Sequence, residues 1–139
     1  MRPVLAIILI CASLLTGCAT TNQQILEAGN ETQLQKRSYQ SRVFETSDKE
    51  RVLRATISTL QDLGFIIERA DLMLGSVSAT KQDKNVIRIT VSVRQKGDVR
   101  MLVRANAQFN ITPVEDPIQY QNFFSSLEKS LFLVAHAGE

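Results

Sequence analysis

The chain has 139 residues, with 16 Lys or Arg against 14 Asp or Glu and 44% hydrophobic residues. That length allows one domain of ordinary size, and that hydrophobic share builds a packed core rather than a disordered chain. A formal charge of +2 excludes a polybasic nucleic-acid arm and an acidic tail, and two cysteines with one histidine are too few for a Cys/His zinc site.

Arg2 places a positive charge at the start, and Val4 to Leu15 is almost wholly apolar (VLAIILICASLL). A helix of that length rises about 18 Å, short of the roughly 30 Å hydrocarbon core. The pattern is that of a secretory signal peptide over residues 1–17. Leu15-Thr16-Gly17-Cys18 comes directly after the apolar run and resembles a bacterial lipobox. The resemblance implies that the Cys18 thiol receives a diacylglyceryl group. It also implies that a dedicated peptidase cuts before Cys18 and that the new amine is acylated, for instance with palmitate. Cys11 leaves with the signal, so the mature chain has no thiol pair for a disulfide. Stable anchoring needs two lipid signals, which an acylated diacylglyceryl cysteine supplies. Sorted lipoproteins kept at the inner membrane usually carry aspartate after the cysteine. Ala19 stands there, so the expected place is the outer membrane, with the domain facing the periplasm.

Residues 18–40 are the lipidated cysteine and a polar stretch rich in Gln, Asn and Thr, read as a tether with packing on the domain as the alternative. The domain is expected over 41–139. Val43-Phe44 reads as a short strand. Ser47 and Glu50 fit a capping box, and Leu53, Ile57 and Leu60 recur at helical spacing, which predicts a helix over Asp48–Leu63. Gly64 stands at the C′ position of a Schellman-type stop, with Phe65 after it.

Phe65-Ile66-Ile67 opens a strand that Asp71–Gly75 interrupts and Val77–Thr80 resumes. After a polar turn, Ile87, Ile89, Val91 and Val93 alternate with Arg88, Thr90, Ser92 and Arg94. From Val99 to Ile111 the same period continues, with Arg100, Leu102 and Arg104 on the polar side. A loop of Lys96-Gly97-Asp98 would set Arg94 against Arg100. A loop of Gln95-Lys96-Gly97 would set Arg94 against Asp98 and Arg88 against Arg104, and is the favoured register. Asp116 and Pro117 open a last helix, whose apolar stripe is Tyr120, Phe123, Phe124, Leu127, Leu131 and Val134, with Phe132 and Leu133 off it. The expected fold is a two-layer α+β sandwich, β-α-β-β-β-α, with an antiparallel sheet and both helices on one face.

A lipobox, a polar tether and a domain of this element order resemble small outer-membrane lipoproteins. The architecture is similar to the helix-grip domains of BamC, an accessory lipoprotein of barrel assembly. The resemblance lies in element order, and no binding residue is carried over from it.

No catalytic constellation is evident. His136 has only Ala135, Ala137 and Gly138 around it and reads as a helix-end residue. Asp62 and Glu68 read as solvated charges, and no cofactor motif is present beyond the lipid on Cys18. The charge layout is uneven: Asn85–Thr112 has a net charge of +4 and Pro113–Glu139 of −3. Arg88, Arg94, Arg100 and Arg104 thus predict an open basic face, either solvated or fitted to an acidic envelope protein or glycan. The expected function is a non-enzymatic binding or accessory module of an envelope complex. Direct binding of cell wall or anionic lipid, or a small envelope hydrolase, is the alternative.

Overall fold

The computed structural model describes residues 33–82 and 84–136. The signal, Cys11, the lipobox and Ala19 lie outside them. The chain divides into two units, Met1–Gln35 and Lys36–Glu139, and the second holds every strand of the sheet and the two long helices. In chain order the elements are α1 (residues 33–39), β1 (Ser41–Phe44), α2 (Lys49–Asp62), β2 (Ile66–Asp71), β3 (Ser76–Gln82), β4 (Val86–Gln95), β5 (Met101–Phe109), β6 (Thr112–Pro113) and α3 (Pro117–His136).

The strands form one antiparallel sheet in the order β1-β5-β4-β3-β2, with β6 on β5. Period-two alternation sends Val77, Ala79, Ile89, Val91, Val93, Met101, Val103 and Ala105 to one buried face. Leu53 and Leu60 of α2 and Tyr120, Phe123, Phe124 and Leu127 of α3 join them in one core. The α+β sandwich anticipated from the sequence is the fold observed. The interrupted strand is two strands, β2 and β3, paired as a hairpin that closes at Asp71↔Ser76.

Helix α2 begins one residue later than the capping-box pattern suggests. Asp48, not Ser47, is the N-cap, and its Oδ1 accepts from the Arg51 amide at 2.9 Å. Glu50 pairs with Arg54 one turn on. Thr46 Oγ1 accepts from the Asp48 amide at 3.2 Å and fixes the approach to that cap. The C-terminal stop is as expected. Gly64 has φ 82, its amide donates to Gln61 O, and the Phe65 amide donates to Leu60 O, each at 2.9 Å. Those two bonds define the Schellman motif. Asp116 caps α3, with Oδ1 accepting from the Ile118 amide at 2.9 Å.

The end of the polar stretch packs on the sheet. Gln40 O accepts from the Ala105 amide at 2.9 Å, and the Tyr39 and Tyr120 ring centres are 5.4 Å apart. Lys36 pairs with Glu115. Residues 36–40 therefore belong with the folded unit, five residues ahead of the expected start at 41.

The β4–β5 hairpin differs from both expected registers. Gln95 lies opposite Met101, and the Lys96 amide donates to Arg100 O, so the turn is Lys96–Arg100. Gly97 does take the left-handed conformation, with φ 70. Arg94 faces Leu102, Arg88 faces Gln108, and Arg104 faces Ser92. The expected Arg88–Arg104 pair is thus absent, because the longer turn slides β5 along β4 until Gln108 takes the place of Arg104. Strand β5 is also shorter than its pattern: Val99 and Ile111 lie in turns and are exposed, and Phe109 is partly exposed.

Candidate functional site

The outer sheet face is built by the same alternation that buries the core. Ser76, Ser78 and Thr80 on β3 lie opposite Ser92, Thr90 and Arg88 on β4. Arg104, Asn106 and Gln108 on β5 complete those rows. The Ser78 and Thr90 hydroxyl oxygens are 3.5 Å apart. No described helix covers this face, so it is an open sheet of hydroxyls, amides and guanidinium groups. At its β2 edge, Glu68 Oε1 accepts from Thr80 Oγ1 at 3.1 Å, and Arg69 lies 3.7 Å from Asp71.

The four arginines singled out in the sequence divide into two places. Arg88 stands alone toward the β3–β4 end. Arg94 and Arg104 are diagonal neighbours across β4 and β5, a placement that sets Cα atoms about 7–8 Å apart. Arg100 lies in the turn beyond them, outside the strand. None of the four forms an ion pair with a described residue. Arg104 is half-buried, and its Nε is buried without a hydrogen-bond partner among the described residues. The basic feature is therefore Arg94 and Arg104 with the nearby turn, while Arg88 is separate. Arg42, which the charge pattern does not single out, faces the helices, with its guanidinium carbon 5.4 Å from the Phe124 ring centre.

On the helix side a cleft of about 560 Å³ opens between the N-terminal half of α3 and the ends of β4 and β5. Phe65, Ile87, Ala107, Phe109, Val114 and Phe123 give it an apolar lining, and Lys81, Asp116, Gln119 and Asn122 add polar groups. Tyr120 also lines it and anchors the surrounding backbone. Its hydroxyl donates to Val114 O at 2.8 Å and accepts from the Ala107 amide at 3.2 Å. Lys81 Nζ donates to Leu63 O at 2.9 Å, so this ammonium also caps the end of α2. The cleft arises from how far apart α3 and the strand ends stand, which sequence periodicity does not report.

Among the described residues, two titratable groups are displaced from their ordinary values. The hydrogen bond to Glu115 holds the Lys36 ammonium above its usual 10.5. Burial pushes Tyr39 above its usual 10.0, and the Glu115 charge adds to it. Asp62 lies at the end of α2 and is exposed, and Glu68 is engaged by Thr80. The His136 side chain lies outside the described residues. Among the described residues, no group of three or more His, Cys, Asp or Glu is placed to hold a metal ion, and no helix is long and apolar enough to cross a membrane. Compared with known proteins, the chain matches no family model and no curated sequence.

Proposed function

We propose that the chain is a lipid-anchored lipoprotein of the bacterial outer membrane, whose periplasmic domain is a non-enzymatic binding module for an envelope complex. The observation that carries this reading is Leu15-Thr16-Gly17-Cys18 placed directly behind a short apolar run. The domain adds an open face with unpaired guanidinium groups, which suits an acidic protein or glycan. Labelled palmitate enters the wild-type chain and not Cys18→Ser, and inhibition of the lipoprotein signal peptidase accumulates a longer precursor. Equal labelling of both chains sinks the reading.

The cleft favours a second reading, direct binding of a lipid. Its volume and apolar lining suit one acyl or aromatic group. Ala107 lines it, and the main chain there carries the bond to Tyr120. Lipid that co-extracts with wild type and is lost in Ala107→Phe, with the fold intact, supports that reading; equal lipid in both rejects it.

A further inference from the structure

The β2–β3 hairpin ends in three consecutive large apolar residues held out to solvent. Leu72, Met73 and Leu74 are 51%, 89% and 68% exposed. Apolar residues scattered singly over a surface are ordinary; a run of three on a turn is not. The backbone of this turn is unusual as well. The Leu74 amide donates to Asp71 Oδ1 at 2.8 Å, Met73 O accepts from Lys49 Nζ at 3.0 Å, and Gly75 O accepts from the Val93 amide at 2.7 Å. Two polar groups of the turn thus have partners within the protein at its exposed surface, and the Gly75 carbonyl extends the β3–β4 ladder. Gly75 has φ 67, and a Cβ there would stand 2.4 Å from Val93 O and 2.6 Å from Lys49 Cε. The turn is seated tightly against β4 and α2.

We propose that the Leu72–Leu74 tip inserts into the interface of the phospholipid membrane that carries the chain. A convex apolar knob suits a bilayer, whereas a protein partner would have to supply a matching pocket. The bilayer also penalises backbone polar groups that lack internal partners, and the Leu74 amide and Met73 carbonyl of this tip both have one. Cations reach the same end of the sheet. Val93 bonds Gly75, and the β4–β5 turn lies just beyond it. Arg94, Lys96, Arg100 and Lys49 stand there among Asp98, Glu45, Asp48 and Asp71, so charges of both signs ring the tip and the four cations are placed to meet phosphate headgroups. The length of chain ahead of the fold permits the contact. Seventeen residues lie between Cys18 and Lys36, and fourteen of them precede α1. A coil of fourteen residues spans about 21 Å and an extended chain about 46 Å, against about 33 Å for a ten-residue strand such as β4.

The choice of membrane rests on the lipoprotein reading; the geometry of the tip does not. The chain has no tryptophan, so Met73→Trp is a unique fluorophore at a position that is 89% exposed. The purified full chain is reconstituted into phosphatidylethanolamine–phosphatidylglycerol vesicles, with and without brominated acyl chains. Gln108→Trp, on the exposed sheet face, is the control. Emission from Met73→Trp moves to shorter wavelength and is quenched by the brominated lipid, while the control shows neither. Water-like, unquenched emission from Met73→Trp overturns the proposal. So does a blue shift without bromolipid quenching, which would place the tip against protein. Leu74→Trp repeats the measurement should the first variant fail to fold. Palmitate labelling and vesicle flotation of the same preparations read the anchor separately. A floating, labelled chain with unquenched Met73→Trp rejects the tip alone, and an unlabelled chain with quenched Met73→Trp rejects the anchor alone.

Discussion

The hydroxyl of Tyr120 is used in both directions, donating to Val114 O and accepting from the Ala107 amide. Tyr120 is 2% exposed and both bonds are part-buried, so removing the hydroxyl leaves two backbone groups beside the cleft without their partner. Tyr120→Phe is expected to cost about 1–3 kcal/mol, the range for a buried polar group left unsatisfied. A thermal melt of the full chain reads the loss, and an unchanged midpoint would show that water replaces the hydroxyl. A second residue-scale effect comes from Lys36 and Tyr39, whose folded values both lie above their usual 10.5 and 10.0. A group with a raised folded value favours the folded state below its unfolded value. That contribution is lost as pH rises through the folded value. Stability should therefore decline in the alkaline range above the usual values of these two groups. Lys36→Met with Tyr39→Phe should flatten that decline in melts taken across it; an unaltered slope would assign it to other groups. Spacing alone marks Tyr120 as a core residue. Its two bonds depend on β6 and the α3 cap folding back beside β5, and no local pattern records that.

At the scale of elements, α2 is the most legible, because its two ends are set by local chemistry. The apolar spacing and Gly64 both survive into the structure, with Leu60 fully buried and Gly64 at φ 82. Leu60→Ala is expected to cost about 2–5 kcal/mol, as truncation of a buried leucine does. Gly64→Val is also expected to lower the melting midpoint. The nearest atoms to a new Cβ, on Lys81, lie at 3.5 Å, so space is not the obstacle. The cost comes from holding a β-branched residue in the left-handed region. Melts of both variants that match wild type would contradict this account of the helix and its stop. The cap itself falls one residue from its expected place, since Ser47 and Asp48 both carry a capping oxygen and only the chain path selects between them. The hairpin register is less legible still. Gly97 correctly marks a left-handed position, yet five residues close that turn rather than three. Alternation fixes which face a residue takes but not its partner, because a shift by an even number of residues keeps every face unchanged. That is why Arg88 and Arg104 share a face as expected and still do not meet. Exposed Val99 and Ile111 reflect the same limit, since period two does not say where a strand stops.

Across the whole molecule, positive charge concentrates on β4, β5 and the turn between them. Asn85–Thr112, with a net charge of +4, makes β4, β5 and their turn, whereas α3 carries only Glu128 and Lys129, which cancel, and Glu115 and Asp116 stand just ahead of it. The core thus lies between a basic outer sheet face and a helix layer with little net charge, and only the sheet face is open. Arg94 and Arg104 concentrate the question. They are diagonal neighbours of like charge, without a carboxylate among the described residues, and the Arg104 Nε is buried unpaired. Such a pair costs stability in the free domain and is relieved when an acidic group settles between the two. Arg94→Ala with Arg104→Ala should therefore leave the domain folded with an equal or slightly higher melting midpoint. If an acidic envelope partner uses this face, the same variant should recover less of it from crosslinked envelopes. The deficit should be largest in dilute salt and shrink as the screening length falls below about 8 Å. Arg88→Ala, on the same face but away from the pair, is the internal control and should change recovery less. A double variant that folds normally and recovers the same partners in the same yield at every salt concentration would mean that the guanidinium groups only solvate the sheet.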